Sequence, residues 1–352
     1  MNLRNFTLFK DQTFDFAKHL NVLVGENGLG KTHILKAAYS ALAVSSRGEK
    51  DSGSSMPTKA YLQKAVANKL NGVFKPERLG RLARRQANRV RCEASFAFDE
   101  GALDFAFSLH SASSTEVSIE NLPSSWERRT SVYLPTRELL TIYPGFVSLY
   151  ETTHNNFEET WRDTCLLLGS PLAKGPREKH IRELLEPIEN AMGGKVILDQ
   201  GGGFYLSTAS GTIEMHLVAE GLRKLATLAR LVATGALLDN GYLFWDEPEA
   251  NLNPAIIRQV AETILQIAAS GIQVFIGTHS LFLIRELYIR QLQSKTKLDI
   301  QFFGLQQGED GVVARQSDSV DRIGSLRVLD EELQQSDRYL DADIERRSSK
   351  QA

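Results

Sequence analysis

An α/β fold built around a mainly parallel sheet is the prediction from this sequence, and three observations carry it. From residue 220 onward, helical and strand patterns alternate over 220–235, 241–246, 254–269, 272–277, 281–293 and 299–304. Such alternation makes βαβ units, whose crossovers set neighbouring strands parallel. Near the N-terminus the buried strand pattern Leu-Asn-Val-Leu-Val (20–24) runs into a glycine-rich loop and then a helix over 31–44. Ahead of it, residues 3–9 and 13–16 alternate apolar with polar, the period of an antiparallel strand pair.

Between these ends the pattern is looser. Residues 45–57 (SSRGEKDSGSSMP) are polar and rich in Gly and Ser and read as a mobile linker, with 58–92 a basic, partly helical insertion. Strands are expected over 93–98, 103–109 and 131–134. The stretch 148–192 reads as helical, with breaks at 169–171 and 175–176 where Gly and Pro cluster. Short strands flank the glycines at 193–194 and 201–203, and the polar tail beyond 330 reads as a surface helix. The expected division is core 1–44, linker and insertion 45–92, core strands 93–147, helical lobe 148–195, core again 196–330, and tail 331–352.

Composition permits such a core, since 42% of the 352 residues are hydrophobic and 24% charged. A net charge of -2 excludes a chain that is basic as a whole and leaves nucleic-acid contact to a local face. Cys92 and Cys165 stand in no metal-ligand spacing, which argues against a disulfide scaffold and fits a reducing cytoplasm. No apolar run nears the ~18–20 residues that cross a bilayer. Lys10, Asp11 and Asp15 interrupt the first apolar residues, so neither a signal peptide nor a membrane role is expected.

The chemistry starts in the glycine-rich loop. Gly25-Glu26-Asn27-Gly28-Leu29-Gly30-Lys31-Thr32 has the form GxxxxGK[ST]. Its glycines let backbone N–H groups turn inward onto phosphate oxygens, and the helix behind points its positive end at them. Lys31 reaches the β- and γ-phosphates and the Thr32 hydroxyl binds Mg²⁺. His33, next on the helix, is counted with the nucleotide-binding residues. A second strand, Tyr242-Leu243-Phe244-Trp245, ends in Asp246 and Glu247. Ligands bind at the carboxyl ends of parallel strands, which sets both acids beside the phosphate loop. Asp246 is assigned to Mg²⁺ and Glu247 to polarising the attacking water.

The opening strand pair, the phrase NVLVGENGLGKT, the Asp-Glu strand and a further strand ending Thr278-His279-Ser280 together resemble the ABC-class ATPases of the RecF/SMC/OLD branch. The resemblance spans residues 1–304 and implies a P-loop NTPase of the ABC-ATPase head type. It also implies ATP and Mg²⁺ as ligands and ATP hydrolysis as the activity. Pro248-Glu249-Ala250-Asn251-Leu252-Asn253-Pro254 then corresponds to the family's D-loop, and Asn253 and Pro254 suit the cap and first turn of a helix. His279 stands where the family carries its switch histidine, so Lys31, Glu247 and His279 form the implied catalytic set. Val218-Ala219-Glu220-Gly221-Leu222-Arg223-Lys224 matches the signature helix, which in a head-to-tail dimer closes on the partner's γ-phosphate. Its implied contacts are Glu220, Gly221 and Arg223.

Two positions depart from the family pattern. Ala219 replaces the usual Ser or Thr and removes a hydroxyl donor, which implies slow hydrolysis or reliance on backbone N–H groups and Arg223. The Q-loop Gln, a metal ligand in the family, is missing, because no Gln lies between Gln86 and Gln200. Glu138, just after the 131–134 strand, is either its replacement as a Mg²⁺ ligand or one half of a structural salt bridge.

Within the branch, the chain is most similar to small bacterial AAA-type ATPases of anti-phage defence systems such as Septu and PARIS. That implies a homodimer or higher assembly with a separate effector nuclease or toxin. A nucleotide-gated scaffold with little hydrolysis and a RecF-like DNA repair ATPase are the alternatives. No sustained heptads mark an SMC-type arm, and the chain after the histidine strand leaves little room for an OLD-type nuclease. Arg78, Arg81, Arg85 and Arg89 fall at i, i+3, i+7 and i+11, one face if helical. That face has three readings: contact with a DNA backbone, docking of an acidic partner, or a solvated surface.

Overall fold

Strand and helix alternate through the computed structural model in the order the patterning requires. It describes all residues except 86–89, 154–155, 176–177, 239, 295–296, 325–330, 332–333 and 344–352. The elements are β1 (Asn2–Phe6), β2 (Phe9–Thr13), β3 (Leu20–Val24), α1 (Lys31–Ser52), α2 (Lys59–Phe74), β4 (Arg91–Phe96), β5 (Phe105–His110), β6 (Ser118–Asn121), β7 (Ser131–Leu134), α3 (Tyr143–Thr152), α4 (Glu159–Leu168) and α5 (Glu178–Met192). They continue with β8 (Gly194–Leu198), β9 (Phe204–Thr208), β10 (Gly211–Glu214), α6 (Glu220–Ala233), β11 (Tyr242–Asp246), α7 (Pro254–Ala269), β12 (Gln273–Thr278), α8 (Leu281–Gln293), β13 (Ile300–Gly308) and β14 (Gly311–Ser317).

The central sheet has the order β14-β13-β3-β12-β11-β7. All its pairings are parallel except β13 with β14. Its inner strands β3, β12 and β11 are buried on both faces, as crossover helices demand, whereas the antiparallel edge strand β14 is partly exposed. Leu243 and Trp245 of β11, with Val274 and Ile276 of β12, face a core shared with α5, α6, α7 and α8. The alternate residues Tyr242, Phe244 and Phe275 face a second core under α1, α2 and the N-terminal strands. Asn21 is fully buried in β3, where it bonds the backbone N–H and carbonyl of Ala17 and fixes the entry to the strand.

An antiparallel sheet, β2-β1-β4-β5-β6, covers one side, and a smaller one runs β10-β9-β8. The N-terminal pair was expected with its second strand at 13–16. Instead the chain reverses after Phe6, which pairs Phe9, and the left-handed Asn5 and Thr7 (φ 49° and 48°) make the reversal tight. The expected linker at 45–57 is also corrected, because α1 continues to Ser52. The reason is tertiary: a Cβ on Gly48 would sit 2.2 Å from the Trp126 ring, so the glycine admits a large apolar lid along the helix. Gly53, left-handed at φ 65°, then ends the helix.

Among the described residues the basic segment does not form an α-helical face. Lys75 is left-handed and ends α2, and only a short 3₁₀ turn, Leu79–Leu82, follows. Pro76 cannot extend a helix through its own N–H. Arg78, Arg81 and Arg85 are exposed on this irregular stretch, and Arg89 lies outside the described residues.

A buried ionic cluster ties the helices together. Asp163 of α4 accepts hydrogen bonds from Lys69 of α2 (2.5 Å) and from the Tyr39 hydroxyl of α1 (2.6 Å). Among the described residues no helix is long and apolar enough to cross a membrane.

Candidate functional site

The phosphate loop follows β3 directly and opens α1. Gly28 and Gly30 are left-handed at φ 85° and 87°, where a side chain is strained. At Gly30 a Cβ would also come within 2.9 Å of the Phe9 ring, so the β1–β2 hairpin packs against the loop through the missing side chain. Lys31 folds back on the loop, its Nζ donating to the carbonyls of Gly25 (2.7 Å) and Glu26 (3.0 Å). Burial lowers its pKa, and Glu247, Asp246 and Glu249 oppose that shift.

β11 ends where the sequence placed its acids. The Thr32 hydroxyl donates to Asp246 Oδ2 at 2.8 Å, joining residues 214 positions apart. Asp246 Oδ1 is buried without a partner. Burial pushes the Asp246 carboxyl up to about 6, with the Thr32 bond pulling the other way. The neighbouring β12 comes close because Gly277 has no Cβ, which would otherwise lie 3.1 Å from Asp246 Oδ1.

The shift at Asp246 makes a stability prediction. Its folded pKa lies above the ordinary 3.8, so its contribution is full below that value and is lost as pH rises through about 6. At pH 7 the ionised form then costs on the order of 3 kcal/mol. Asp246→Asn stays neutral and should unfold at higher temperature than the wild type at pH 7, in nucleotide-free protein. Melting curves at pH 4 and pH 7 check this: the gap should open as pH rises, and equal gaps would mean that the carboxylate is not penalised.

Glu247 adopts φ 48°, and its N–H donates to the Gly277 carbonyl at 2.8 Å. Its Oε1 stands 3.4 Å from His279 Nδ1. Glu249, which sequence reasoning did not single out, is buried beneath this pair. Its Oε1 accepts from the Thr278 hydroxyl at 2.6 Å and from the His279 N–H at 3.2 Å, while its Oε2 has no partner. The end of β12 is therefore tied to the loop after β11 through a buried carboxylate.

Glu138 is buried and closely partnered. It accepts from the N–H groups of Leu140 and Thr141 and from the Thr141 hydroxyl, and its Oε1 lies 3.3 Å from Arg223 Nη1. Its contact with Arg223 is an ion pair, as one of the two sequence readings has it. Arg223 is thereby drawn toward its own chain's 131–141 region. Glu220 accepts from the Asn251 side chain at 2.9 Å. Gly221 lies against α7 and the loop before it, where a Cβ would meet Leu252 at 2.9 Å and Ile256 at 3.2 Å. Ala219 caps α6 without a side-chain bond.

Beside the loop opens a cavity of about 640 Å³ lined by Leu8, His33, Phe74, Arg81, Arg84 and Arg85, among others. His33 faces Phe74 with ring centroids 5.8 Å apart, and its Nδ1 is buried without a partner. Burial, then the Lys36 charge, lowers the His33 pKa. The basic segment contributes to this wall from an extended stretch rather than a helix.

A 50-residue stretch is 42% identical to the DNA replication and repair protein RecF of Acetivibrio thermocellus, covering 14% of this chain and 13% of that one. The chain thus spans only about an eighth of that relative. A crystal structure of an Smc head bound to the C-terminal winged-helix domain of ScpA superposes with TM-score 0.53 at 13% identity, over 91% of this chain and 97% of that one. The SMC head domain from Thermotoga maritima gives TM-score 0.49 at 11% identity, over 90% and 98%. The fold is that of the SMC head, an α/β P-loop fold. The family described as "AAA domain, putative AbiEii toxin, Type IV TA system" matches residues 20–285, three quarters of the chain, and the protein belongs to it.

Proposed function

We propose that the protein hydrolyses ATP and works as a switch that closes head to tail around the nucleotide to govern a separate effector. The observation that carries this is the meeting, over one sheet edge, of Lys31 and Thr32 with Asp246, and of Glu247 with His279. The unpartnered Asp246 oxygen beside the Thr32 hydroxyl suits a hard cation, and these two residues would hold Mg²⁺. When bound, Mg²⁺ neutralises charge on the phosphate oxygens. Lys31 binds phosphate, Glu247 takes the proton of the attacking water, and His279 orients the pair. The nucleoside lies toward the cavity of His33 and Phe74.

Glu220, Gly221 and Arg223 are the residues that α6 offers to a second protomer's nucleotide. The family's description names a putative toxin of a type IV toxin–antitoxin system, which supports a role within such a system. The exposed Arg78, Arg81 and Arg85 support DNA as a further ligand. The free thiols of Cys92 and Cys165 support a cytoplasmic setting. The scaffold reading draws on Ala219, which brings no hydroxyl to the signature turn, and on Arg223, already engaged by Glu138.

Phosphate release and oligomeric state, measured together with and without DNA, test the proposal. Wild type should turn over ATP and enlarge its assembly with ATP. Lys31→Ala should weaken ATP binding by about 10- to 100-fold, the worth of one charge-assisted contact to phosphate. ATP binding with neither turnover nor assembly would overturn the switch and leave the scaffold.

A further inference from the structure

The first turn of α6 grips the loop that carries Glu247, and it does so at that loop's strained residues. Between β11 and α7, Glu247 and Asn251 have left-handed backbones, φ 48° and 62°. Neither is glycine, and such conformations persist only where surrounding contacts hold them. Lys224 supplies contacts to the first. Its Nζ donates to the Ala250 carbonyl at 2.7 Å and lies 3.3 Å from the Glu247 carbonyl, which it also meets as a donor. Glu220, one turn earlier, holds the second through the Asn251 side chain. The tight seat of Gly221 on Leu252 and Ile256 brings the helix within reach.

Lys224 is 4% exposed, so an ammonium has been taken out of water to make these bonds. Burial lowers its pKa, and the carboxylates of Glu249, Glu220 and Glu247 counter it. A core position that only needed filling would be served by methionine or leucine without that desolvation cost. The two captured carbonyls bracket the turn closed by the Ala250 N–H on the Glu247 carbonyl at 3.1 Å. Turning Glu247 out of its left-handed state would move that carbonyl and break both bonds.

We propose that Lys224 is a positioning residue for ATP hydrolysis, holding the 247–250 turn so that the Glu247 carboxylate stays beside His279. This rests on the reading of Glu247 as the group that activates water. The end of α6 that would meet a second protomer's nucleotide is also the end that holds its own chain's Glu247.

The test is Lys224→Met in the full chain. Its kcat should fall about 10- to 100-fold, the cost of an ångström-scale misplacement, while the affinity for a non-hydrolysable ATP analogue changes less than about twofold. Amide exchange at Ala250 should speed up in nucleotide-free protein. In a Glu247→Gln background, Lys224→Met should change turnover no further, because the effect runs through Glu247. Lys224→Arg, which keeps a donor, should recover part of the loss. A full additional loss in the Glu247→Gln background, a loss confined to KM, or unchanged exchange and turnover would each overturn the proposal. If Lys224→Met does not fold, Asn251→Ala tests the same grip with the same kcat and exchange readouts. Equal turnover by wild type and Glu247→Gln would defeat the reading of Glu247 instead, and the exchange arm would still decide whether Lys224 holds the turn.

Discussion

Glu247→Gln should lower ATP turnover by at least about 100-fold while leaving ATP affinity within about twofold. The substitution exchanges one oxygen for an amide nitrogen and keeps the size and backbone requirements of the side chain. The Glu247 N–H would still donate to the Gly277 carbonyl, and the loop would keep its path. What is lost is the ability to accept a proton from water. Neither Lys31 nor Thr32 changes, so phosphate binding persists and the ATP-bound assembly should accumulate. Single-turnover phosphate release with light scattering reads both effects. Unchanged turnover would place water activation elsewhere, and Glu249, buried beneath the pair with one oxygen free, would be the next carboxylate to test.

Lys69→Met should destabilise the fold by about 3–5 kcal/mol, the usual result of removing one partner from a buried ion pair. Lys69 is 6% exposed and joins α2 to α4 through Asp163 (2.5 Å) and Glu159 (2.8 Å). Burial would raise the Asp163 pKa, but the Lys69 charge and bond, with help from Tyr39 and Arg162, hold it below the ordinary value. Its contribution is therefore present above the unfolded pKa of 3.8 and lost as pH falls through the lower folded value. With Lys69 gone the burial effect dominates and the Asp163 pKa rises above 3.8. The penalty should consequently be greatest at pH 7 and shrink on acidification, as the stranded carboxyl takes up a proton. Urea unfolding at pH 7 and pH 4.5 measures it, with a fall of about 5–10 °C expected in the thermal midpoint at pH 7. A penalty independent of pH would assign the loss to packing rather than charge.

These two sites differ in how visible they are in the chain. Glu247 was legible because its identity, the apolar strand before it and the helix cap at Asn253 are all local. The phosphate loop was legible for the same reason: Gly28 and Gly30 stand where the backbone must be left-handed, and a buried strand and a helix flank them. The Asp163 cluster was not, since Tyr39, Lys69 and Asp163 sit on three helices and no spacing relates them.

The sequence by itself determined the parallel sheet, through helix and strand periodicity that each segment carries alone. It also determined which residues could bind phosphate, through a contiguous motif whose backbone demands are met within eight positions, Gly25 to Thr32. Tertiary structure decided what depends on contacts between distant segments. It ran α1 through the polar 45–52 stretch because Trp126 covers Gly48. It turned the basic segment into the wall of a cavity, where helical arithmetic had drawn a face. It set Glu138 against Arg223, and placed Lys224 and Glu249 beneath the loop that carries Glu247. A buried charge is placed by the partners that offset its desolvation, and those partners become neighbours only once the chain has folded.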